Sequence, residues 1–138
     1  MPLFQSAYIK TFQSGQLKQK IEQAREDLFR CHLCPRQCSA ERLSAQTGYC
    51  GGSEKAKVFG YHPHWGEETP LVGENGSGTI FFSHCNLQCI FCQNYEISCL
   101  GKGVDSSEKH LAQIMLFLQD SGCHNINLVT PTHQVPQI

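Results

Sequence analysis

Thr79-Ile80-Phe81-Phe82-Ser83-His84-Cys85-Asn86-Leu87-Gln88-Cys89-Ile90-Phe91-Cys92 is an apolar run followed at once by three cysteines spaced C-x3-C-x2-C. The run from Thr79 to Ser83 predicts a short, buried strand. The cysteines then fall on the loop that leaves it. A structural zinc site wants four protein ligands in a closed tetrahedron. A 4Fe–4S cube has four irons to cap, usually with four thiolates. Three close cysteines on one loop suit a cube with one iron left open. An open metal position is where a substrate binds, so the trio points to chemistry and not to a staple.

Downstream, the segment from Ile97 to Asp105 reads as a loop. Asp105 then opens a helix, with Glu108 three residues on as a capping box. Leu111, Ile114, Met115 and Leu118 form its apolar stripe, and Gly122 sits where a C-terminal cap belongs. Asn125 to Thr130 is the next strand, stopped by Pro131. The order is strand, cysteine loop, helix, strand: one βαβ unit, right-handed by default. Such folds bind ligands in loops at the C-terminal ends of parallel strands, and the cysteine loop lies at one such end.

Upstream, residues 15 to 30 predict an amphipathic packing helix. Leu17, Ile21, Ala24 and Leu28 recur at spacings of four and three, and Ser14 is available as N-cap. From Cys31 to Gly52 the chain is cysteine-rich and loop-like. Cys31, Cys34, Cys38 and Cys50 are spaced C-x2-C-x3-C-x11-C, and Pro35 follows Cys34, a common neighbour of cluster ligands. Four thiolates saturate a metal, so this site would be closed. A second iron–sulfur cluster for electron relay, a structural zinc and unligated core cysteines are the three readings. Residues 53 to 75 carry His62, Pro63, His64, Pro70 and several glycines, which predicts irregular structure or short hairpins. His62, His64, Glu67 and Glu68 flank Trp65-Gly66. Without a fixed spacing they read as surface loop or pocket wall sooner than as a metal or proton-transfer group. Cys99 and Cys123 fit neither cysteine group and read as buried, unreactive thiols.

Composition narrows the class. The 138 residues fit one domain, able to bury roughly two thirds of its unfolded surface. Eleven Lys+Arg against twelve Asp+Glu leave a net charge of −1, with no basic run to suggest a nucleic-acid face. The N-terminus lacks a signal-peptide pattern, and no apolar stretch approaches the ~20 residues of a membrane helix. Nine cysteines without an export signal predict a reducing cytoplasm, where clustered thiols hold metal more often than they form disulfides. No Walker, Rossmann or nucleophile-elbow motif is present.

The residues around the trio are specific. Asn86 follows its first cysteine, Phe91 precedes its third, and Gln93-Asn94 follows. With Gly76-Ser77-Gly78 before the strand and Tyr95 after the loop, this resembles the radical S-adenosylmethionine superfamily. Within it, the chain is similar to the branch of pyruvate formate-lyase activating enzyme, over about residues 31 to 138. The resemblance implies an α/β fold: a partial radical SAM-type β/α barrel. Its first one to two βα units (residues 76–138) would follow an N-terminal helix and Cys-rich metal-binding segment (residues 1–75). It implies a 4Fe–4S cluster held by Cys85, Cys89 and Cys92, with S-adenosylmethionine chelating the fourth iron. One-electron reduction of the sulfonium would give methionine and a 5′-deoxyadenosyl radical that abstracts hydrogen. The cofactors carry the hard steps, so no catalytic side chain is expected.

By the same resemblance, Phe91 packs near the adenine; as a plain residue it reads equally as a core Phe. Asn94 orders the loop or is simply a turn residue. One departure stands out. The family's second strand ends in a Gly-Gly-Glu-type motif that meets the amino group of S-adenosylmethionine. Here it ends Val129-Thr130-Pro131-Thr132-His133. Thr130, Thr132 or His133 would supply hydrogen bonds in its place, or else satisfy local backbone. The implied partners are S-adenosylmethionine and an electron donor such as flavodoxin or ferredoxin. The hydrogen donor is a glycyl-radical enzyme, another protein or a small molecule.

The 61 residues from Gly78 to Ile138 hold about two βα units at ~30 residues each, whereas a radical SAM core has about six. The chain therefore reads as the N-terminal fragment of a longer protein, with catalysis expected from the parent. A helix is expected to begin at Val135 to Ile138. The competing class is a non-enzymatic iron–sulfur or zinc module for electron transfer or structure. In it Cys99 closes the first cluster.

Overall fold

The computed structural model describes residues 5–138. Its centre is the apolar run: β2, Ser77–Phe82, buried at five of its six positions. Two neighbours hydrogen-bond to it. β4, Ile126–Val129, runs parallel, pairing Ile80 with Leu128 and Phe81 with Val129. On the other side β1, Ala56–His64, runs antiparallel. A short outer strand β3, Val104–Ser106, pairs antiparallel with the start of β1, giving a four-stranded mixed sheet of order β3-β1-β2-β4. The protein is thus mixed α/β with an open sheet.

The expected strand–helix–strand unit is present. Helix α5, Glu108–Asp120, follows β3 and leads into β4. Leu111, Ile114 and Leu118 lie at helical spacing on one face, so together they meet the sheet. They pack with Ala56, Val58, Ile80 and Phe82 as the core, and Met115 packs at its edge. Ile80 and Leu118 are fully buried. Burying a Leu, Ile or Phe side chain stabilises by about 1.5–3 kcal/mol, so this cluster anchors everything that leaves β2. Gly122, at φ +91°, follows the helix in the left-handed conformation expected of its cap.

The structure corrects four local expectations. First, the helix start is not Asp105. That residue lies on β3 opposite Lys57, and Ser107 is the N-cap, its Oγ accepting from the His110 N–H at 3.2 Å. Pairing with β1 draws Asp105 into the sheet. Second, Ile97–Asp105 is not all loop: it holds the end of α4, Tyr95–Ser98, and most of β3.

Third, residues 53–75 include β1, nine residues long, and a helical turn α3, Thr69–Val72. A register shift between Val58 and Gly60 breaks the alternation of inward and outward side chains, which hides the strand from a period-two reading. Pro63 is tolerated because β3 pairs only with Ala56–Val58, leaving that edge of β1 free at residue 63.

Fourth, the N-terminal helix is two helices, α1 (Ala7–Gln13) and α2 (Gln16–Glu26). Gly15 at φ +74° breaks them, so Ser14 closes the first and does not cap the second. Of the expected stripe, Leu28 is buried just past the helix end, Leu17 and Ala24 are half-buried, and Ile21 is exposed. Beyond β4 a 3-10 helix, Thr132–Gln137, begins ahead of the helix expected at Val135 and buries His133, Gln134, Pro136 and Gln137. Among the described residues no helix is long and apolar enough to cross a membrane.

Candidate metal centre

The loop after β2 is fixed at its root. Ser83 is fully buried. Its N–H donates to Lys57 O at 2.8 Å and its hydroxyl to Lys102 O at 2.5 Å. The His84 N–H donates to Ile97 O at 2.9 Å. Cys85 is therefore held at the end of the strand, 7% exposed. The Leu87 N–H points at its sulfur, 3.4 Å away. A turn closes Cys89 to Cys92, with the Cys92 N–H on Cys89 O at 3.1 Å, and both side chains are half-buried.

Cys85 and Cys92 line a small cavity of about 50 Å³ with Phe82, Asn94, Val129 and Thr130. It lies where β2 and β4 end side by side. The parallel pair thus brings four of the six expected cofactor-binding residues together: Cys85, Cys92, Asn94 and Thr130. Cys89 does not line the cavity. Nor does Phe91, which is 86% exposed, so its reading as a core Phe is corrected. It belongs to a loop tip whose apolar side chains Leu87 and Ile90 also face outward. Asn94 precedes α4, and its carbonyl accepts from the N–H groups of Ile97 and Ser98. Thr130 donates its hydroxyl to Phe82 O at 3.3 Å and holds a left-handed φ of +56°.

Thr132 is exposed, outside the cavity. His133 is buried, its Nε2 2.9 Å from Ser83 O and its Nδ1 unpartnered. Facing a carbonyl, Nε2 carries the proton and donates to it. Burial first, then the nearby Arg42 charge, push its pKa down.

The four upstream cysteines lie in the segment between α2 and β1. Cys31 and Cys50 are buried, Cys34 is half-buried and Cys38 is exposed. Backbone N–H groups of Ala40 and Tyr49 lower the pKa of Cys38. Burial raises that of Cys50, and the neighbouring Cys31 and Cys34 add to it. Among the described residues, no three Cys, His, Asp or Glu side chains stand as a preformed metal-holding group. What fits a cluster is the donor set: three soft thiols on one loop, the first with an N–H aimed at its sulfur.

Backbone strain marks the same two places. Among the described residues, the non-glycine positions at left-handed φ are Gln37, Ser39, Ala45, His84, Gln88 and Thr130. All lie in the two cysteine segments or across from them. For a β-branched residue such as Thr130 this conformation is an outlier, and such strain collects at functional sites.

Sequence reasoning missed the residues that join the two segments. The His84 ring is wedged between Gly51 and Gly101, both at positive φ, and a Cβ on either would run into it. The Arg36 Nε–H donates to Asn86 O at 3.1 Å, and the Gln88 side chain donates to Tyr49 O at 2.8 Å. The only sequence signal was the pair of glycines. Of the remaining cysteines, Cys123 is buried, its thiol 3.6 Å from Asn75 O. Cys99 is half-buried and not fully buried as expected, and it stands outside the cavity of Cys85 and Cys92. His62 and His64 sit on β1, His62 stacked on Phe81 at 5.7 Å, while Glu67 accepts from Asn127.

No protein-family model matches the chain. No solved structure matches it at a significant level. An uncharacterized protein of Methanocaldococcus jannaschii is 39% identical over 79 residues, which are 57% of this chain and 22% of the relative. The chain thus spans about a fifth of the length of the curated relative it matches.

Proposed function

We propose that this chain is part of a radical S-adenosylmethionine protein. Cys85, Cys89 and Cys92 would hold a 4Fe–4S cluster in a cytoplasmic enzyme, similar to the pyruvate formate-lyase activating branch. The parallel pair β2 and β4 would be the first part of its β/α barrel, with β1 and β3 as antiparallel additions. The observation that carries the reading is the cavity shared by Cys85, Cys92, Asn94 and Thr130 at the C-terminal ends of β2 and β4. It joins thiols to polar groups at the edge where α/β sheets take ligands.

When bound, such a cluster supplies one electron that cleaves S-adenosylmethionine to a 5′-deoxyadenosyl radical for hydrogen abstraction. The chain's own residues bind and orient. Cys85 is anchored by β2, with the Leu87 N–H 3.4 Å from its sulfur. Cys89 and Cys92, on a turn and half-exposed, swing to complete the set. The Thr130 hydroxyl spends its proton on Phe82 O, so its remaining lone pair is free to accept from an amino group. In that role it replaces the missing Gly-Gly-Glu-type motif, with Asn94 beside it. Phe91, exposed at the loop tip, is available to cover an adenine. An electron donor such as flavodoxin or ferredoxin would serve it, and its hydrogen donor would be a small molecule or a protein such as a glycyl-radical enzyme.

The test is product release. The longer parent protein, reduced anaerobically with S-adenosylmethionine, should yield 5′-deoxyadenosine, and its Cys89→Ala form none. Equal yield from both would sink the reading. The alternative is a non-enzymatic iron–sulfur or zinc module in which Cys99 closes the cluster as fourth ligand.

A further inference from the structure

The segment from Cys31 to Ser53 has almost no regular structure. It holds one 3-10 turn, Arg42–Ser44. Irregular stretches this long rarely hold one conformation inside a compact domain unless something staples them. Its backbone nevertheless converges on its cysteines. The Cys31 N–H donates to Ala40 O and the Ser39 N–H to Cys31 O, both at 3.0 Å, which lays Cys31 alongside Cys38. The Gln37 N–H returns to Cys34 O at 3.0 Å, closing a turn on Cys34. Around Cys50 the Gly51 N–H donates to Gly48 O at 2.8 Å and the Gly48 N–H to Gly52 O at 3.2 Å.

These turns aim the sulfurs at one region. A Cβ built on Gly48 would lie 3.2 Å from Cys38 Sγ and 3.7 Å from Cys50 Sγ, so the two face each other across that glycine. Cys31 lies within reach of the Cys38 side chain, and Cys31 and Cys34 are both neighbours of Cys50. Zinc–sulfur bonds of about 2.3 Å place the sulfurs of a tetrahedron roughly 3.8 Å apart. Four thiolates on one short segment are the closed set that a structural zinc takes.

Two further features suit thiolates held by a cation. The Gly52 N–H lies 3.3 Å from Cys50 Sγ, two residues behind it, and Cys38 receives the N–H of Ala40 at the same offset. Donors so placed stabilise sulfur as an anion. A zinc with four thiolates carries a net charge of −2, and two cations flank the cysteines. The fully buried Arg42 guanidinium lies beside Cys50, both meeting the Cβ position of Gly52 at 2.9 and 3.1 Å. Its hydrogen-bond partners are backbone carbonyls, those of Ser53 and His133, so no carboxylate neutralises it. Arg36 lies 4.1 Å above the Tyr49 ring, tying the Cys34 turn to the Cys50 turn.

We infer that Cys31, Cys34, Cys38 and Cys50 form a closed tetrathiolate zinc site. The sulfurs do not yet form a preformed group. Side-chain rotation of Cys34 and Cys38, the two that are not fully buried, completes the tetrahedron around the fixed Cys31 and Cys50. Its role is structural. It staples the irregular segment and, through Arg36, Tyr49 and Gln88, braces the loop of Cys85. It stands whether or not the downstream trio binds iron.

The test removes the trio. The Cys85→Ala, Cys89→Ala, Cys92→Ala triple variant, produced with zinc in the medium, should carry one zinc per chain and no iron by elemental analysis. Adding Cys38→Ala and Cys50→Ala should remove the zinc. In the intact chain, zinc should slow alkylation of Cys31, Cys34, Cys38 and Cys50 at least tenfold, read residue by residue by mass spectrometry, and leave Cys99 unprotected. This second measurement covers failure of the variants to fold. Iron in place of zinc in the triple variant, or upstream thiols that alkylate equally fast with and without zinc, would overturn the inference.

Discussion

The two cysteine segments use the same side chain in opposite surroundings. The downstream trio leaves a strand buried at five of six positions and ends on a loop whose tip is exposed. Cys85 and Cys92 border a cavity that also holds Asn94 and Thr130, with Cys89 outside it. The upstream four belong to a stretch with one 3-10 turn, where the Cys38 and Cys50 sulfurs face each other across Gly48 and Cys50 lies beside the buried Arg42. One group is anchored by apolar burial and left open on one side. The other lacks such an anchor, and in our reading a metal closes it. Thiol number alone does not separate a reactive centre from a staple; what the fourth side of the site meets does.

The sharpest way to break that contrast is to delete ligands. Ala at Cys85, Cys89 or Cys92 should abolish iron binding after anaerobic reconstitution and leave zinc in place. Ala at Cys38 and Cys50 together should do the reverse. Loss of both metals from either change, in protein that remains folded by circular dichroism, would merge the two sites into one.

The anchors should differ in size. Phe82→Ala removes a fully buried core ring at the root of the downstream loop. It should cost about 3–5 kcal/mol in urea denaturation. Arg42→Met removes the charged hydrogen bonds to Ser53 and His133 and should cost about 2–3 kcal/mol. Its effect should centre on residues 31–54 in hydrogen exchange, whereas Phe82→Ala loosens the whole sheet. Uniform loosening by both would erase the distinction between anchors.

A pH slope links the two regions, because His133 touches Ser83 at the root of one and Arg42 in the other. Its folded pKa is depressed, so the unfolded chain binds more protons between that value and the ordinary ~6.5. Stability should be fully present above pH ~6.5 and fall as pH drops through the folded pKa. His133→Gln, which keeps a donor for Ser83 O, should flatten this slope in urea midpoints measured from pH 7 to pH 5. An unchanged slope would assign the effect to other groups. Smallest of all, Gln88→Ala removes an exposed hydrogen bond to Tyr49 O between the segments and should cost no more than about 1 kcal/mol.

Much of the sheet's parallel half was legible in the sequence. Thr79 to Ser83 read as a strand because burial leaves a continuous run, Asn125 to Thr130 as a short stretch stopped by Pro131, and α5 because its stripe has a clean helical period. β1 was not legible: its bulge at Val58 to Gly60 resets the alternation, and Pro63 mimics a loop. β3 is three residues long, too short for any period. In the candidate site, the spacing of Cys85, Cys89 and Cys92 and the strand end at Thr130 could be read along the chain. The buried Arg42 and the wedge of His84 between Gly51 and Gly101 depend on contacts between segments far apart in the chain, such as Arg42 with His133 and His84 with Gly51. No local pattern encodes those.

The central claim is that the downstream site keeps one metal position open. The most direct measurement is electron paramagnetic resonance of this chain, reconstituted anaerobically with iron and sulfide, reduced, and titrated with S-adenosylmethionine. The account predicts a reduced 4Fe–4S signal that shifts on titration in the intact chain and is absent from the Cys89→Ala form. A signal that forms but stays unchanged with S-adenosylmethionine, and disappears in Cys99→Ala, would mean a closed cluster and contradict it.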